Sequence, residues 1–350
     1  MQYRRLGNSG LIISRMAYGV MTFGERGNST SPLAHLWKTP QQEANALIGR
    51  ALDAGINIFD TADAYTEGRA ETMLAEALGA RRKEVVISTK VGFRTGPELI
   101  ATGGSYQHII AGAEASLRRL KTDYIDLLSI HRLDRYVPIE ETARALENLV
   151  QRGLVRYVGY SNFSAWQSAK LLGIQQRHHY SPIIAAQMYY SLVGRDLENE
   201  VVPFCKDAGI GIVVWSPLAS GFLSGRYTRK DPTGGQGRLA DFDFLPTDKE
   251  KGYDLIERIQ KMAAGHNATV AQLALAWLLS KDYVSTILMG ASKVQQFDDN
   301  MGAFDVKLPA AELNELDELT KPSLVYPNWF QEKTQDTAVV EALNKYGQGD

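Results

Sequence analysis

The feature that most constrains the fold is an alternation. Eight short, β-rich apolar runs recur along the chain: MAYGVM (16–21), INIFDTA (56–62), VVISTKV (85–91), YIDLLSIH (124–131), VRYVGYSN (155–162), IIAAQMYY (183–190), IGIVVWS (210–216) and STILMGA (285–291). Several are apolar almost throughout rather than at every second residue, the pattern of strands buried on both faces of a parallel sheet. Helical periodicity fills the intervals. Residues 41–54 place Ala44, Leu47, Ile48, Ala51 and Leu52 on one stripe and stop at Gly55, a residue suited to a C-terminal cap. Residues 139–152, 164–173, 250–264, 270–280 and 309–319 read as further helices, with Ser164 placed as an N-cap. Eight strands with helical connections predict an α/β fold of the (β/α)8 barrel type. The rival doubly wound sheet requires G-x-G-x-x-G after an early strand. GIGIVV (209–214) lacks the third glycine, and GGQGRL (234–239) has no strand before it.

With 350 residues and no linker, the chain reads as one domain over 1–350, with 321–350 as a tail near the rim. Lys plus Arg (38) nearly balance Asp plus Glu (40), so no surface field calls for nucleic acid or an anionic membrane. No apolar run approaches the ~18 residues of a membrane span. A single cysteine, Cys205, and no secretory leader at the N-terminus point to a cytoplasmic protein, with Cys205 as inert core. No HExxH, CxxC or paired-carboxylate spacing suggests a metal. His108, His266, His178 and His179 lie away from strand ends and read as surface or helix-turn residues.

In such a barrel, chemistry gathers at the C-terminal ends of the strands. Asp60 and then Tyr65 follow the second run, Lys90 ends the third and His131 ends the fourth. Charged groups at buried strand ends are unusual without partners. Together the four suit carbonyl reduction. A Tyr hydroxyl donates a proton to the carbonyl oxygen, and a Lys ammonium stabilises the phenolate and lowers its pKa from about 10. An Asp holds the Lys, and a His hydrogen-bonds the carbonyl.

On these residues the chain resembles the aldo-keto reductase superfamily. The matching segments run in the family's order across nearly the whole chain: YRRLGNSGLIIS (3–14), FDTADAYTEGRAE (59–71), STKVG (88–92), ASLRRLKTDYIDLLSIHRLD (115–134), VRYVGYSNFS (155–164), QMYYSLVGRDLENEVVPFC (187–205), WSPLASGFLSGRY (215–227) and GASKVQQFDDN (290–300). The resemblance implies a barrel with an N-terminal β-hairpin and extended loops over the C-terminal rim. It also implies NADP(H)-dependent carbonyl reduction through Asp60, Tyr65, Lys90 and His131, with Tyr65 as the acid. Ser161, Asn162 and Gln187 would then bind the carboxamide and Trp215 would stack on the nicotinamide. Gly19, Val20 and Met21 would line its ribose. Ser216, Pro217, Leu218, Ser220 and Gly221 would cover the diphosphate. Gly290, Ser292, Gln296, Asp299 and Asn300 would face the adenosine end, where a helix N-terminus suits phosphate.

Two departures stand out. Gln296 replaces the Arg with which many relatives grip the 2′-phosphate, leaving Arg226, Arg238 and Lys293 as substitutes. NADPH is still expected over NADH. The loop 24–40 is long and, with Phe23, Trp37, Phe93, Leu133 and Trp329, is expected to shape the pocket for a small carbonyl or alcohol substrate. The pattern is most similar to the branch of bacterial general reductases and potassium-channel β-subunits. That branch leaves two other functions open: a slow, NADPH-binding redox-sensing module, and a sugar or sugar-alcohol dehydrogenase.

Overall fold

The architecture follows from the eight apolar runs. In the computed structural model, which describes residues 1–345 except 28, 30, 32, 33, 236–238 and 240–242, each run becomes a strand of one closed barrel. These are β3 (Met16–Gly19), β6 (Ile58–Asp60), β7 (Val86–Val91), β8 (Ile125–Ile130), β9 (Val155–Ser161), β10 (Ile183–Tyr189), β11 (Gly211–Trp215) and β12 (Val284–Met289). Neighbours pair in parallel and β12 closes onto β3. The chain reaches β3 through an antiparallel hairpin, β1 (Tyr3–Arg5) with β2 (Ile12–Ser14). Its turn is pressed against the barrel floor. Gly7 has φ +57°, and a Cβ there would stand 2.5 Å from the Gly209 carbonyl and 2.7 Å from the Gly211 nitrogen. Only glycine combines that conformation with that approach.

The outer layer is α1 (Gln41–Asp53), α2 (Arg69–Leu78), α3 (Tyr106–Leu120), α4 (Ile139–Gln151), α5 (Ala165–His178), α6 (Val201–Ala208), α7 (Lys249–Gly265), α8 (Val270–Ser280), α9 (Val294–Met301) and α10 (Ala310–Leu319). Gly55 follows α1 with φ +85°, as its place in the sequence required. Ser164 stands at the N-cap of α5, where its amide donates to Gln167 Oε1 (2.9 Å). That helix runs past 173 to His178 and stops where His179 turns left-handed. Helical periodicity did not single out α2 or α3.

Side chains alternate across each strand, so the core divides in two. Leu6, Ile13, Ala17, Ile58, Leu127, Ala185 and Val213 fill the barrel floor. The larger cluster lies between strands and helices. Gly159 keeps the interior open above that floor, since a Cβ there would meet the Ala185 carbonyl at 2.8 Å and Ser129 Oγ at 3.0 Å.

The loop 24–40 is anchored rather than open. It is bracketed by a two-residue ladder, β4 (Gly24–Glu25) with β5 (Lys38–Thr39). The tail carries two short helices, α11 (Asn328–Lys333) and α12 (Thr337–Lys345). No helix among the described residues is long and apolar enough to cross a membrane.

Candidate active site

Alternation along β7 decides the site. Ser88 and Lys90 point into the barrel, and Thr89 points outward to α2. Lys90 has no exposed surface. Its Nζ donates to Asp60 Oδ2 at 2.6 Å and to the Thr61 carbonyl at 2.6 Å, and lies 3.4 Å from the Tyr65 hydroxyl. Asp60 Oδ1 accepts from Ser88 Oγ (2.9 Å) and from Gln187 Nε2 (2.8 Å). The carboxylate is thus saturated by donors from β7 and β10, and the buried ammonium is paired. A charge in this position would otherwise cost several kcal/mol. His131 completes the group, its ring edge-on to Tyr65 with centroids 5.8 Å apart. The three strand ends β6, β7 and β8 therefore bring Asp60, Tyr65, Lys90 and His131 together.

Their protonation follows from burial and charge. For Lys90, burial works against the charge, but Asp60 and then Tyr65 outweigh it and the pKa is raised, so the ammonium persists. For Tyr65, burial raises the phenol more than Lys90 lowers it. The lowering expected from a neighbouring ammonium is therefore only a partial offset, and the phenol stays above its ordinary value. His131 is held well below its usual range by burial, with Lys90 and Arg132 adding to the effect, so its imidazole is neutral.

The proposed carboxamide ligands form a chain along the same rim. Ser161 Oγ donates to the Gln187 carbonyl (2.8 Å). Asn162, with φ +59°, donates to the His131 carbonyl (3.1 Å) and to Ser161 Oγ (2.8 Å), and accepts from Trp215 Nε1 (3.0 Å). Trp215 also meets Tyr189, with ring centroids 5.2 Å apart. Val20 donates to the Asp60 carbonyl (2.9 Å), which lays Gly19, Val20 and Met21 beside the ion pair. After β11 the backbone is left-handed at Ser216, Ala219, Ser220 and Gly221. Ser216 Oγ accepts from the Ser220 amide (2.8 Å), folding Pro217 and Leu218 into a tight curl.

At the far end, Gly290 is exposed and Ser292 donates to Gln296 Oε1 (3.2 Å). Lys293 is the exposed N-cap residue of α9, whose Asp299 accepts from Gln272 (3.2 Å) and whose Asn300 is buried. Arg226 is exposed. Arg238 lies outside the described residues.

The expected pocket residues divide. Phe93 stands edge-on to His131, 4.3 Å between centroids, with the Arg132 guanidinium 5.3 Å above its ring. Leu133, in the same loop as Arg132, packs on the core. Phe23 is fully buried against Tyr18. Trp37 is buried in a small cluster with Ala34, Leu36 and Met21. Trp329 meets Tyr326 and Phe330 of its own tail, which is tied to the body where Asn328 donates to the Asn199 carbonyl (2.6 Å). A groove of about 810 Å³ lies at the opposite end of the barrel, lined by Leu172, Tyr180, Ile183, Phe204 and Gly209. No rim residue lines it.

His108 is a helix-turn residue, in the first turn of α3, but it is buried and bonded to the Phe93 carbonyl at 3.2 Å rather than at the surface. Cys205 is buried, and its thiol is pushed up to about 11 by burial. Periodicity and rim position also passed over a group behind the wall. Glu71 accepts from Thr89 Oγ1 (2.6 Å) and Arg119 Nε (2.6 Å), and Asp63 is buried beside them. The one available signal was a second acid in FDTADAY.

The comparisons with known proteins agree with the barrel fold. The sequence model described as the aldo/keto reductase family matches residues 15–321. The chain belongs to the aldo/keto reductase family. It is 34% identical to versiconal hemiacetal acetate reductase of Aspergillus parasiticus, over 93% of this chain and 99% of that one. It is 38% identical to a putative voltage-gated potassium channel subunit beta of Schizosaccharomyces pombe, over 91% of this chain and 92% of that one. It is 36% identical to a probable aldo-keto reductase 1 of Glycine max, over 89% and 87%. Family membership makes this chain an oxidoreductase of carbonyl compounds, of a family that generally uses nicotinamide cofactors. Among the described residues there is no group of three His, Cys, Asp or Glu that could hold a metal ion.

Proposed function

We propose that this reductase is a cytoplasmic, NADP(H)-dependent enzyme that reduces an aldehyde or ketone to an alcohol, reversibly, with Tyr65 as proton donor. The observation that carries the reading is the fully buried Lys90–Asp60 pair with the Tyr65 hydroxyl 3.4 Å from Nζ.

The chain's surfaces suit the cofactor. Trp215 offers a partly exposed indole at the end of β11, held by Asn162. Gly19 leaves space above the rim, the nearest atom to a Cβ there being the Met289 carbonyl oxygen at 3.8 Å. Ser216 and 219–221 are left-handed, a conformation that anion-binding loops use, and here the Ala219, Ser220 and Gly221 amides bond within the loop. When bound, NADPH supplies the hydride. The chain supplies the rest. Neutral His131 orients the carbonyl by a hydrogen bond, Tyr65 gives up its proton as negative charge grows on oxygen, and Lys90 stabilises the phenolate left behind. Asp60, Ser88 and Gln187 hold Lys90 still.

Lys293 and Arg226 are the described cations offered to a 2′-phosphate. Dissociation constants for NADPH and NADH test this preference, and equal affinity would sink it. A slow redox-sensing module is the second reading, favoured by the channel-subunit names among the relatives. Turnover on a panel of simple aldehydes with gel filtration separates the two. Rapid turnover by a monomer supports the enzyme, and a stable tetramer with negligible turnover supports the module.

A further inference from the structure

Asp63 lies in the turn between Asp60 and Tyr65, and no role is yet attached to it. It is 2% exposed, and neither carboxyl oxygen has a hydrogen-bond partner. Buried polar groups are almost always paired, so an orphan carboxyl calls for an explanation. Gly112 of α3 faces the carboxyl without a side chain. A Cβ there would stand 3.1 Å from Val91 Cγ1 and 3.6 Å from Asp63 Oδ2. The Asp63 amide donates to the Lys90 carbonyl (3.0 Å), so this carboxyl sits across the barrel wall from the ammonium.

The charged groups around Asp63 come from each neighbouring element: Glu71 from α2, Arg119 from α3 and Lys90 from β7. Arg119 is already committed to Glu71 at 2.6 Å. One guanidinium thus faces two carboxyls and bonds only one.

We propose that Asp63 is a proton-holding positioning residue. Its buried, unpartnered carboxyl exchanges a proton behind the barrel wall, and its ionisation shifts the acidity of Tyr65 from the far side of the same turn. Burial first, and then the Glu71 carboxylate, push Asp63 up to about 7; Arg119, the nearby Ala64 amide (which makes no hydrogen bond to it) and Lys90 oppose this. A negative Asp63 raises Tyr65 in turn. Ionised Asp63 would therefore favour the protonated phenol that reduction needs. Neutral Asp63 would favour the phenolate that alcohol oxidation needs. Only the meaning of Tyr65 rests on the reductase reading; the coupling between the two groups does not.

Nuclear magnetic resonance titration of protein labelled with 13C at the Asp carboxyl and the Tyr ring carbon bearing oxygen reads both groups without any turnover. Asp63→Asn and Tyr65→Phe assign the signals. The Asp63 signal should titrate near neutrality, and the Tyr65 midpoint should fall by roughly half to one unit in Asp63→Asn, as expected for losing one nearby charge. A signal already ionised at pH 5, or a Tyr65 midpoint unmoved by Asp63→Asn, overturns the proposal. Should Asp63→Asn not fold, Gly112→Ser places a hydroxyl beside the carboxyl. It should pull the Asp63 midpoint down toward the ordinary carboxylate range, and an unchanged midpoint counts against the proposal. Alcohol oxidation then separates the two readings. A coupled pair of titrations in a protein that turns over no alcohol or carbonyl sinks the reductase reading alone.

Discussion

Lys90 is a full charge with no exposed surface, and its environment explains why the rim is arranged as it is. Removing one partner of a buried pair leaves the other uncompensated. Lys90→Met should destabilise the fold by about 3–5 kcal/mol in denaturant melts, and adding Asp60→Asn should recover part of that loss. Tyr65→Phe removes only an oxygen at the cavity side. It should lower carbonyl reduction by about 10²–10⁴-fold, the range of a lost general acid, while NADPH fluorescence titration shows unchanged binding. His131 carries a pH signature. Its folded pKa is depressed, so below the unfolded value of about 6.5 the unfolded chain takes up a proton that the folded chain refuses. Stability from this group is present above that pH and is lost as pH falls. His131→Asn should flatten the acid side of the stability curve, and an unchanged slope between pH 5 and 7 would contradict the neutral assignment.

At the scale of elements, the turn after β6 joins the chemistry to the loop 24–40. Thr66, Glu67 and Gly68 are successively left-handed, and Thr66 Oγ1 donates to the Phe23 carbonyl at 2.5 Å. A Cβ at Gly68 would lie 2.8 Å from Arg119 Cδ. Gly68→Ala should therefore cost roughly 1–3 kcal/mol, the range for a strained backbone, and should disturb the Glu71–Arg119 pair with it. The segment after β11 is latched differently. Arg229 bonds Glu250, Asp254 and Glu257 along α7, all at the surface. Exposed pairs add little to stability. Arg229→Ala should leave the melting temperature nearly unchanged and speed cofactor release in stopped-flow measurements; an unaltered release rate would remove the latch.

Legibility also divides by element. The eight strands were plain because several are apolar on both faces and all recur between helical stretches. Ser164 and Gly55 marked helix ends because capping is local chemistry. α3 was less plain, because Gly112 interrupts its interior. That glycine weakens the helix, and its reason lies in the close approach of Val91, a residue distant in sequence.

Across the whole molecule, the body and the tail are held very differently. Arg195 binds the Asp317 carbonyl and Thr320 Oγ1 at the end of α10, securing the chain up to that point. Beyond it Tyr326, Phe330 and Val339 are exposed. Truncation after Lys321 should leave a cooperative melt within a few degrees of the full chain, since little buried apolar area is lost. Loss of cooperativity would show that the tail belongs to the core. The sequence by itself determined the barrel and the four rim residues, because strand burial and rim position are written in local pattern. Tertiary structure alone decided three things. Burial outweighs Lys90 in setting Tyr65, Gln187 spends its amide on Asp60, and Asp63 is left without a partner. Each depends on distances between strands and helices that no local pattern encodes.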